Sequence, residues 1–153
     1  MKSKIKKVLG RRVWDSRGHP TVEAEVHLFS GDFGFSIAPA GASKGGAEAI
    51  EKRDGGTAFN GLDVKSALLS ISKISEALSG LEVTNQKCID DALIELDGTD
   101  NKARLGSNAT IAVSIAAAQA AAKYECKPLW RYLAKNNQNL FLPMPEIQIF
   151  GGG

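Results

Sequence analysis

The run from Ser107 to Glu125, SNATIAVSIAAAQAAAKYE, most restricts how this chain can fold. It has the length and composition of a helix, but it is apolar nearly all round rather than along one stripe. A helix of this kind has to be buried against more than one neighbour, and its many alanines permit close packing. We therefore expect it to lie between a sheet and other helices, which the rest of the chain has to supply.

The segment before residue 39 is expected to supply the sheet. In TVEAEVHLF, residues 21–29, apolar and polar side chains alternate with a period of two, which is typical of a strand with one buried face. Turn-forming sequences, DSRGHP and SGD, flank this run. The pattern between Lys4 and Ala38 predicts three antiparallel strands in a meander.

Beyond residue 46 the apolar residues recur at helical spacing, and four helices are predicted. Residues known to begin or end helices mark their limits. The predicted limits are Gly80 after the first helix, Thr84 before the second and Gly98 after it, Ser107 or Asn108 at the start of the third, and Pro128 in the first turn of the fourth.

The order of the elements, strands first and helices afterwards, indicates an α+β domain. A chain of 153 residues is long enough for one such domain with a genuine core. We assign residues 1–140 to this domain, a three-stranded antiparallel meander followed by a helical bundle. Residues 141–153, which include LPMPEIQIFGGG, are predicted to be a linker and the first strand of a further unit.

Charge and cysteine content exclude several classes of protein. The net charge of +2 lacks the strong basic field of a dedicated nucleic-acid binder, so the lysines and arginines of the first twelve residues are better explained as solvated charges on a strand. Cys88 and Cys126 do not have metal-ligand spacing, which favours a reduced, cytoplasmic location. No run approaches the roughly 20 apolar residues of a membrane span.

The stretch PAGASKGG, residues 39–46, is the most distinctive loop, and we refer to it as the glycine loop. It matches neither a Walker phosphate loop nor a GxGxxG fingerprint. Ser43 nevertheless offers a hard oxygen suited to magnesium, and Lys44 could neutralise a phosphate. From composition alone, a surface connection between strand and helix is the favoured interpretation.

Two further polar features carry less functional signal. The segment LDGTDNK lacks the ligand spacing of a calcium loop, so we predict that it is a solvated capping loop. The histidines His19 and His27 have no recognisable catalytic constellation around them in the sequence. Neither is expected to act as a catalytic base.

Four segments together resemble one known family. They are RRVWDSRGHPTVEAEV, APAGASKGGAEAIEKRDGG, QKCIDDALIELDGTDNKARLGSNATIAVSIAAAQAAAKYECKPLWRYL and LPMPEIQIFGGG, and they look like successive signature segments of enolase in family order and spacing. The resemblance covers almost the whole chain. It is more specific than any single motif because independent loops coincide.

This resemblance implies a phosphopyruvate hydratase, a magnesium-dependent lyase that interconverts 2-phosphoglycerate and phosphoenolpyruvate in glycolysis. In that family a small amino-terminal α+β domain packs on an eight-stranded α/β barrel, which carries the lysine base and the carboxylate ligands of magnesium. We therefore expect no catalytic residue in these 153 residues, a missing barrel domain, and no activity of the chain alone. A non-catalytic interaction module and a divergent homologue with altered substrate are the alternatives.

The resemblance also implies roles for particular residues. The glycine loop would be the mobile loop of the site, with Gly41, Ala42, Ser43 and Lys44 near the substrate and Ser43 binding the second magnesium. Charged residues of the first strands would contribute to a homodimer interface, and these are Arg11, Arg17 and Glu23.

Several positions depart from the family pattern. Ala40 and Lys44 stand where the family usually has serine and threonine, and Lys52 stands where it has leucine. An ammonium at Lys44 would attract a phosphate but repel a cation bound at Ser43. Further departures are His19, Gln148 and Gly151, which stand where asparagines are typical.

Overall fold

A computed structural model of the chain describes residues 1–38, 40–41, 45–137, 140–147 and 149. In this part of the chain, a three-stranded sheet precedes four α-helices. The strands are β1 (Ile5–Trp14), β2 (Pro20–Leu28) and β3 (Phe33–Ala38). The helices are α1 (Lys65–Leu78), α2 (Gln86–Asp97), α3 (Ser107–Tyr124) and α4 (Leu129–Ala134). The α+β class is confirmed.

The sheet is the predicted antiparallel meander, with strand order β1-β2-β3. Its register places Arg11 opposite Glu23, and Glu23 opposite Ile37. The turn between β1 and β2 needs Gly18, whose φ of 72° suits glycine, and the carboxylate of Asp15 accepts hydrogen bonds from the N–H groups of Arg17 and His19.

The period of two in β2 divides the sheet into two faces. Val22, Ala24, Val26 and Leu28 are buried under the helices, whereas the residues between them lie on the opposite, partly solvated face. Helix α3 packs on β2 and β3, and α1 packs on β1. The core therefore lies between one face of the sheet and these two helices.

Helix α3 is buried between the sheet and other helices, as its composition predicts. It contacts β2, β3, α1, α2 and α4. Its approach to β3 is so close that a Cβ on Gly34 would overlap the backbone of α3, with the carbonyl carbon of Gln119 only 2.8 Å away. A glycine in the strand and alanines in the helix permit this packing of backbone against backbone.

The structure confirms one predicted helix limit and corrects another. Gly98 ends α2 in the left-handed conformation, with φ 64°. The N-cap of α2 is Asn85 and not Thr84, because the Asn85 side chain accepts a hydrogen bond from the N–H of Cys88 at 3.1 Å. The Thr84 hydroxyl lies instead within 3.5 Å of Glu82.

Two of the other limits differ from the prediction by one residue, and the predicted start of α3 at Ser107 is confirmed. Ser79 is the cap of α1, and Gly80, with φ 83°, follows it. Gly106 is the N-cap of α3, so the helix begins at Ser107. Pro128 caps α4 from outside its first turn.

The carboxyl-terminal run has no regular secondary structure where it is described. Residues 140–147 form neither helix nor strand, and no described strand pairs with them. The domain limit at residue 140 and the first strand of a further unit therefore stay predictions. Among the described helices, none is long and apolar enough to cross a membrane.

Candidate functional site

The glycine loop is only partly described. Ala42, Ser43 and Lys44 lie outside the described residues, so the predicted metal ligand and the added cation have no described position. Gln148 and Gly151, two of the departures, also lie outside them. The described residues Gly41, Gly45 and Gly46 line one side of a cavity of about 810 Å³.

Two further segments that are distant from each other in sequence also line this cavity. One is the connection 47–51, which follows the glycine loop, and the other runs from the end of the α2–α3 connection into the first turn of α3. The lining residues from the second segment include Asn101, Lys102, Ser107 and Asn108. The cavity thus brings the predicted substrate loop against the amino-terminal end of the most buried helix.

Hydrogen bonds fix these two segments to each other. Ile50 donates its N–H to the carbonyl of Asn101 at 2.7 Å and accepts the N–H of Ser107 at 2.8 Å. The side chain of Asn108, which is 3% exposed, accepts the N–H of Lys52 at 3.2 Å and donates to its carbonyl at 3.0 Å. This pair of bonds repeats the pattern of a strand pair, so the Asn108 side chain joins the first turn of α3 to the connection after the glycine loop.

Lys52, a departure from the family pattern, has a structural role here. Its ammonium donates to the carbonyl of Arg104 at 2.6 Å and lies 3.3 Å from the Ser70 hydroxyl. It therefore joins the connection after the glycine loop to both α1 and the α2–α3 connection. The neighbouring Arg53 is similarly fixed by the carbonyls of Pro20 and Leu62 and by Glu51.

The α2–α3 connection is organised by Asp97, which is fully buried. Its carboxylate accepts hydrogen bonds from the N–H groups of Leu105 at 2.7 Å and Thr99 at 3.1 Å, and from the Thr99 hydroxyl. Burial acts to raise the pKa of Asp97, but these hydrogen bonds and the charge of Lys102 outweigh it, so its pKa lies below the ordinary value. The predicted capping role of this segment fits these bonds, but the prediction that the segment is solvated is wrong at Asp97, because its carboxylate bonds backbone N–H groups inside the fold.

Arg17 contacts the start of the glycine loop. Its Nη2 donates to the carbonyl of Ala40 at 2.8 Å, while its Nε lies 3.6 Å from Asp15. The turn between β1 and β2 is therefore connected to the loop entrance. The resemblance places Arg17 in a homodimer interface, and that role stays a prediction beside this contact.

The other two predicted interface residues lie on the face of the sheet away from the helices, which we call the open sheet face. Arg11 pairs through Nε with Glu23 at 2.8 Å and also contacts Glu25. Apolar side chains of the two edge strands surround this pair and are substantially exposed, namely Leu9, Phe33, Phe35 and Ile37. A face that combines exposed apolar and charged groups is suited to a protein interface.

The remaining polar groups offer no separate catalytic or metal site in the part of the chain that the structure describes. No group of three or more histidine, cysteine, aspartate or glutamate side chains there could hold a metal ion. His27 lies against Glu25 at 2.9 Å and stacks on Phe33. Burial, followed by the charges of Lys7, Lys6 and Arg11, lowers the pKa of His27, which favours a neutral ring near pH 7.

Three features of this site were not predicted from the sequence. They are the two-bond pairing of Asn108 with Lys52, the contact of Arg17 with Ala40, and the burial of Asp97. The first two join residues far apart in the chain, for which local patterning gives no signal. For Asp97, its place at the end of an amphipathic helix just before Gly98 was the one available indication.

The fold and the site can now be compared with known proteins. A family model described as "Enolase, N-terminal domain" matches residues 5–133. The chain belongs to the enolase family. It is 45% identical over 155 residues to the enolase of Elusimicrobium minutum (strain Pei191), an alignment that covers 99% of this chain. The chain spans 37% of the length of that enolase.

Proposed function

We propose that this chain acts as the amino-terminal domain of an enolase-type lyase that interconverts 2-phosphoglycerate and phosphoenolpyruvate in the glycolysis of the cytoplasm. The observation that carries the proposal is the match of residues 5–133 to the enolase amino-terminal domain. The cavity bounded by the glycine loop supports it, because this is where the loop would meet a substrate. The barrel, with the base that removes the proton, is supplied from outside these residues.

The role of the chain in the reaction is to supply the glycine loop and the wall behind it. The Ser43 hydroxyl would be one oxygen ligand of magnesium, with Gly41 and Ala42 beside it and Lys44 near the substrate phosphate. The other ligands would come from the barrel, as the resemblance to the family implies. When bound, magnesium stabilises the negative charge that develops on the substrate carboxylate as the proton leaves.

The contacts around the cavity suit a loop that moves against a fixed wall. The bonds of Ile50 and Asn108 join the two segments that form the wall of the cavity. Arg17 contacts the start of the glycine loop at Ala40. The glycines of the glycine loop have no Cβ, so their backbone can approach a ligand closely. Closure of the glycine loop on a substrate would exclude water from the site.

The open sheet face supports two further elements of the proposal. Arg11 and Glu23, which form an ion pair with each other, would also contact a second copy of the chain. The result would be a homodimer in which Arg17 also takes part. The same exposed face favours a second candidate function, an enolase-like interaction module without turnover. The departures at Ala40 and Lys44 favour a third, a homologue with an altered substrate.

The role of Ser43 is tested in a longer protein, which we call the chimeric enolase. In it, this chain replaces the matching segment of the E. minutum enolase. We expect Ser43→Ala to lower magnesium-dependent kcat about 100-fold, the order found when one preorganised charge-stabilising group is lost. Phosphoenolpyruvate absorbance measures the rate.

The matched control is Ser30→Ala, which removes an exposed hydroxyl from the turn between β2 and β3. It should leave kcat unchanged, and neither variant should shift the thermal midpoint by more than a few degrees. Equal kcat for Ser43→Ala and the unsubstituted protein would remove Ser43 from the site.

A further inference from the structure

Two side chains from outside the glycine loop hold the chain where β3 leads into that loop. The hydroxyl of Thr21, a fully buried residue at the start of β2, donates to the carbonyl of Ala38, the last residue of β3. Two residues further along the chain, Nη2 of Arg17 donates to the carbonyl of Ala40 at 2.8 Å. The region between β1 and β2 therefore sets the path of the chain into the glycine loop.

The two bonds differ in how far other contacts could replace them. Ala38 is also paired with Val22 in the sheet, so the bond from Thr21 is one of several contacts that fix this residue. Ala40 lies beyond the end of β3, and no other described residue donates a hydrogen bond to its carbonyl. Arg17 is thus the described side chain on which the position of this carbonyl depends.

The guanidinium of Arg17 is itself held in place by Asp15. Its Nε lies 3.6 Å from Oδ2 of Asp15, and the backbone N–H of Arg17 donates to Oδ1 at 2.9 Å. The same Oδ1 accepts the N–H of His19 at 2.7 Å, which closes the turn around the carboxylate. Arg17 therefore spans Asp15 and Ala40 with two different nitrogens, as a planar guanidinium can.

The chain that leaves the glycine loop is bonded to the same region. Nη1 of Arg53, which follows the connection 47–51, donates to the carbonyl of Pro20 at 2.5 Å. The N–H of Ile50 donates to Asn101 at 2.7 Å, in the wall of the cavity. The bond from Arg17 to Ala40 consequently fixes the start of the glycine loop relative to both its end and the wall.

We propose that Arg17 is a positioning residue for the glycine loop. By holding the carbonyl of Ala40, it places the start of the loop relative to the cavity, and the proposed function assigns magnesium to Ser43 of that loop. This inference rests on the proposed function, and it gives Arg17 a part in turnover that is separate from the expected homodimer contact. Arg17 acts through the loop and touches neither substrate nor metal.

Arg17→Ala in the chimeric enolase tests this role. We expect kcat to fall about tenfold, the order of effect when one hydrogen bond from a charged donor is lost, and the half-saturating magnesium concentration to rise. The matched control is Arg131→Ala, which removes another guanidinium that donates to a backbone carbonyl, that of Asn137 at 3.3 Å. It should leave both quantities unchanged. All variants are assayed at concentrations where sedimentation shows a dimer.

Two further variants separate positioning from charge and from stability. Arg17→Lys keeps the positive charge, but its single nitrogen cannot span Asp15 and Ala40, so kcat should fall as it does in Arg17→Ala. In a Ser43→Ala background, Arg17→Ala should lower kcat by less than about twofold, because both changes act through the same loop. Full kcat for Arg17→Lys, or equal losses in both backgrounds, would overturn the proposal.

A measurement on the isolated chain does not depend on turnover. In its NMR spectrum, Arg17→Ala should move the carbonyl ¹³C resonance of Ala40 upfield, because the carbonyl loses its hydrogen-bond donor, whereas Arg131→Ala should leave it in place. A resonance of Ala40 that does not respond to Arg17→Ala overturns the proposal.

The kinetic outcomes separate this proposal from the proposed function. Turnover by the unsubstituted chimeric enolase, with kcat unchanged in Arg17→Ala, overturns the positioning role and leaves the function standing. A loss of kcat that disappears once the variant is dimeric makes Arg17 an interface residue only, which also overturns it. No turnover by a folded, unsubstituted chimeric enolase contradicts the proposed function, and the positioning role with it.

Discussion

At the scale of single residues, Asp97 shows how a buried charge can organise a loop. The segment LDGTDNK predicts a capping loop, but its sequence does not indicate which of its two aspartates is buried. The structure buries Asp97 completely and leaves Asp100 exposed. The difference arises because Asp97 ends α2 facing the chain that returns into α3, where Leu105 and Thr99 donate to it.

We expect Asp97→Asn to reduce the free energy of unfolding by about 2 kcal/mol, because an amide cannot accept all three hydrogen bonds and leaves buried donors unpaired. Urea denaturation of the isolated chain measures the loss. The control Asp100→Asn removes the same charge at an exposed position, and it should change the free energy of unfolding by less than about 0.5 kcal/mol. Similar losses for both variants would contradict the role of Asp97.

The contribution of Asp97 to the free energy of unfolding depends on pH. The pKa of Asp97 is lower in the folded chain than the ordinary value of 3.8, so its carboxylate stabilises the fold above that pH. This contribution is lost as the pH falls below 3.8 and through the folded-state pKa. Asp97→Asn should therefore flatten the acid limb of a plot of unfolding free energy against pH.

At the scale of elements, the periodicities predict the strands and helices well. The alternation in β2 and the all-round apolar character of α3 both follow from where these elements lie. The N-cap of α2 was predicted wrongly at Thr84, because threonine and asparagine are both good caps and local sequence does not choose between neighbours. The Asn85 side chain identifies the N-cap, because it accepts a hydrogen bond from the N–H of Cys88.

The contact between β3 and α3 gives the sharpest prediction at this scale. Gly34→Ala should destabilise the isolated chain by at least about 2 kcal/mol, because its Cβ would overlap the backbone of α3, which cannot move aside as a side chain could. The control is Gly46→Ala, where a Cβ would have no atom within 4 Å. Thermal unfolding followed by circular dichroism compares them, and an unchanged midpoint for Gly34→Ala would contradict this packing.

At the scale of the whole molecule, local patterning predicts the secondary structure, and the family resemblance predicts the site. Patterning predicts the meander and the helices, whereas the assignment of Ser43 to a metal site depends on the resemblance alone. The wall behind the glycine loop could not be predicted, because Asn108 and Lys52 are 56 residues apart and meet only after the chain has folded. The surfaces that partners would cover are likewise visible only in three dimensions.

The most direct measurement is the appearance of phosphoenolpyruvate absorbance from 2-phosphoglycerate and magnesium, with the isolated chain and the chimeric enolase assayed side by side. We expect magnesium-dependent turnover by the chimeric enolase and none by the isolated chain, because the proposed function assigns the base and most metal ligands to the barrel. Turnover by the isolated chain, or none by a soluble and folded chimeric enolase, would contradict the assignment of this chain as the amino-terminal domain of a working enolase.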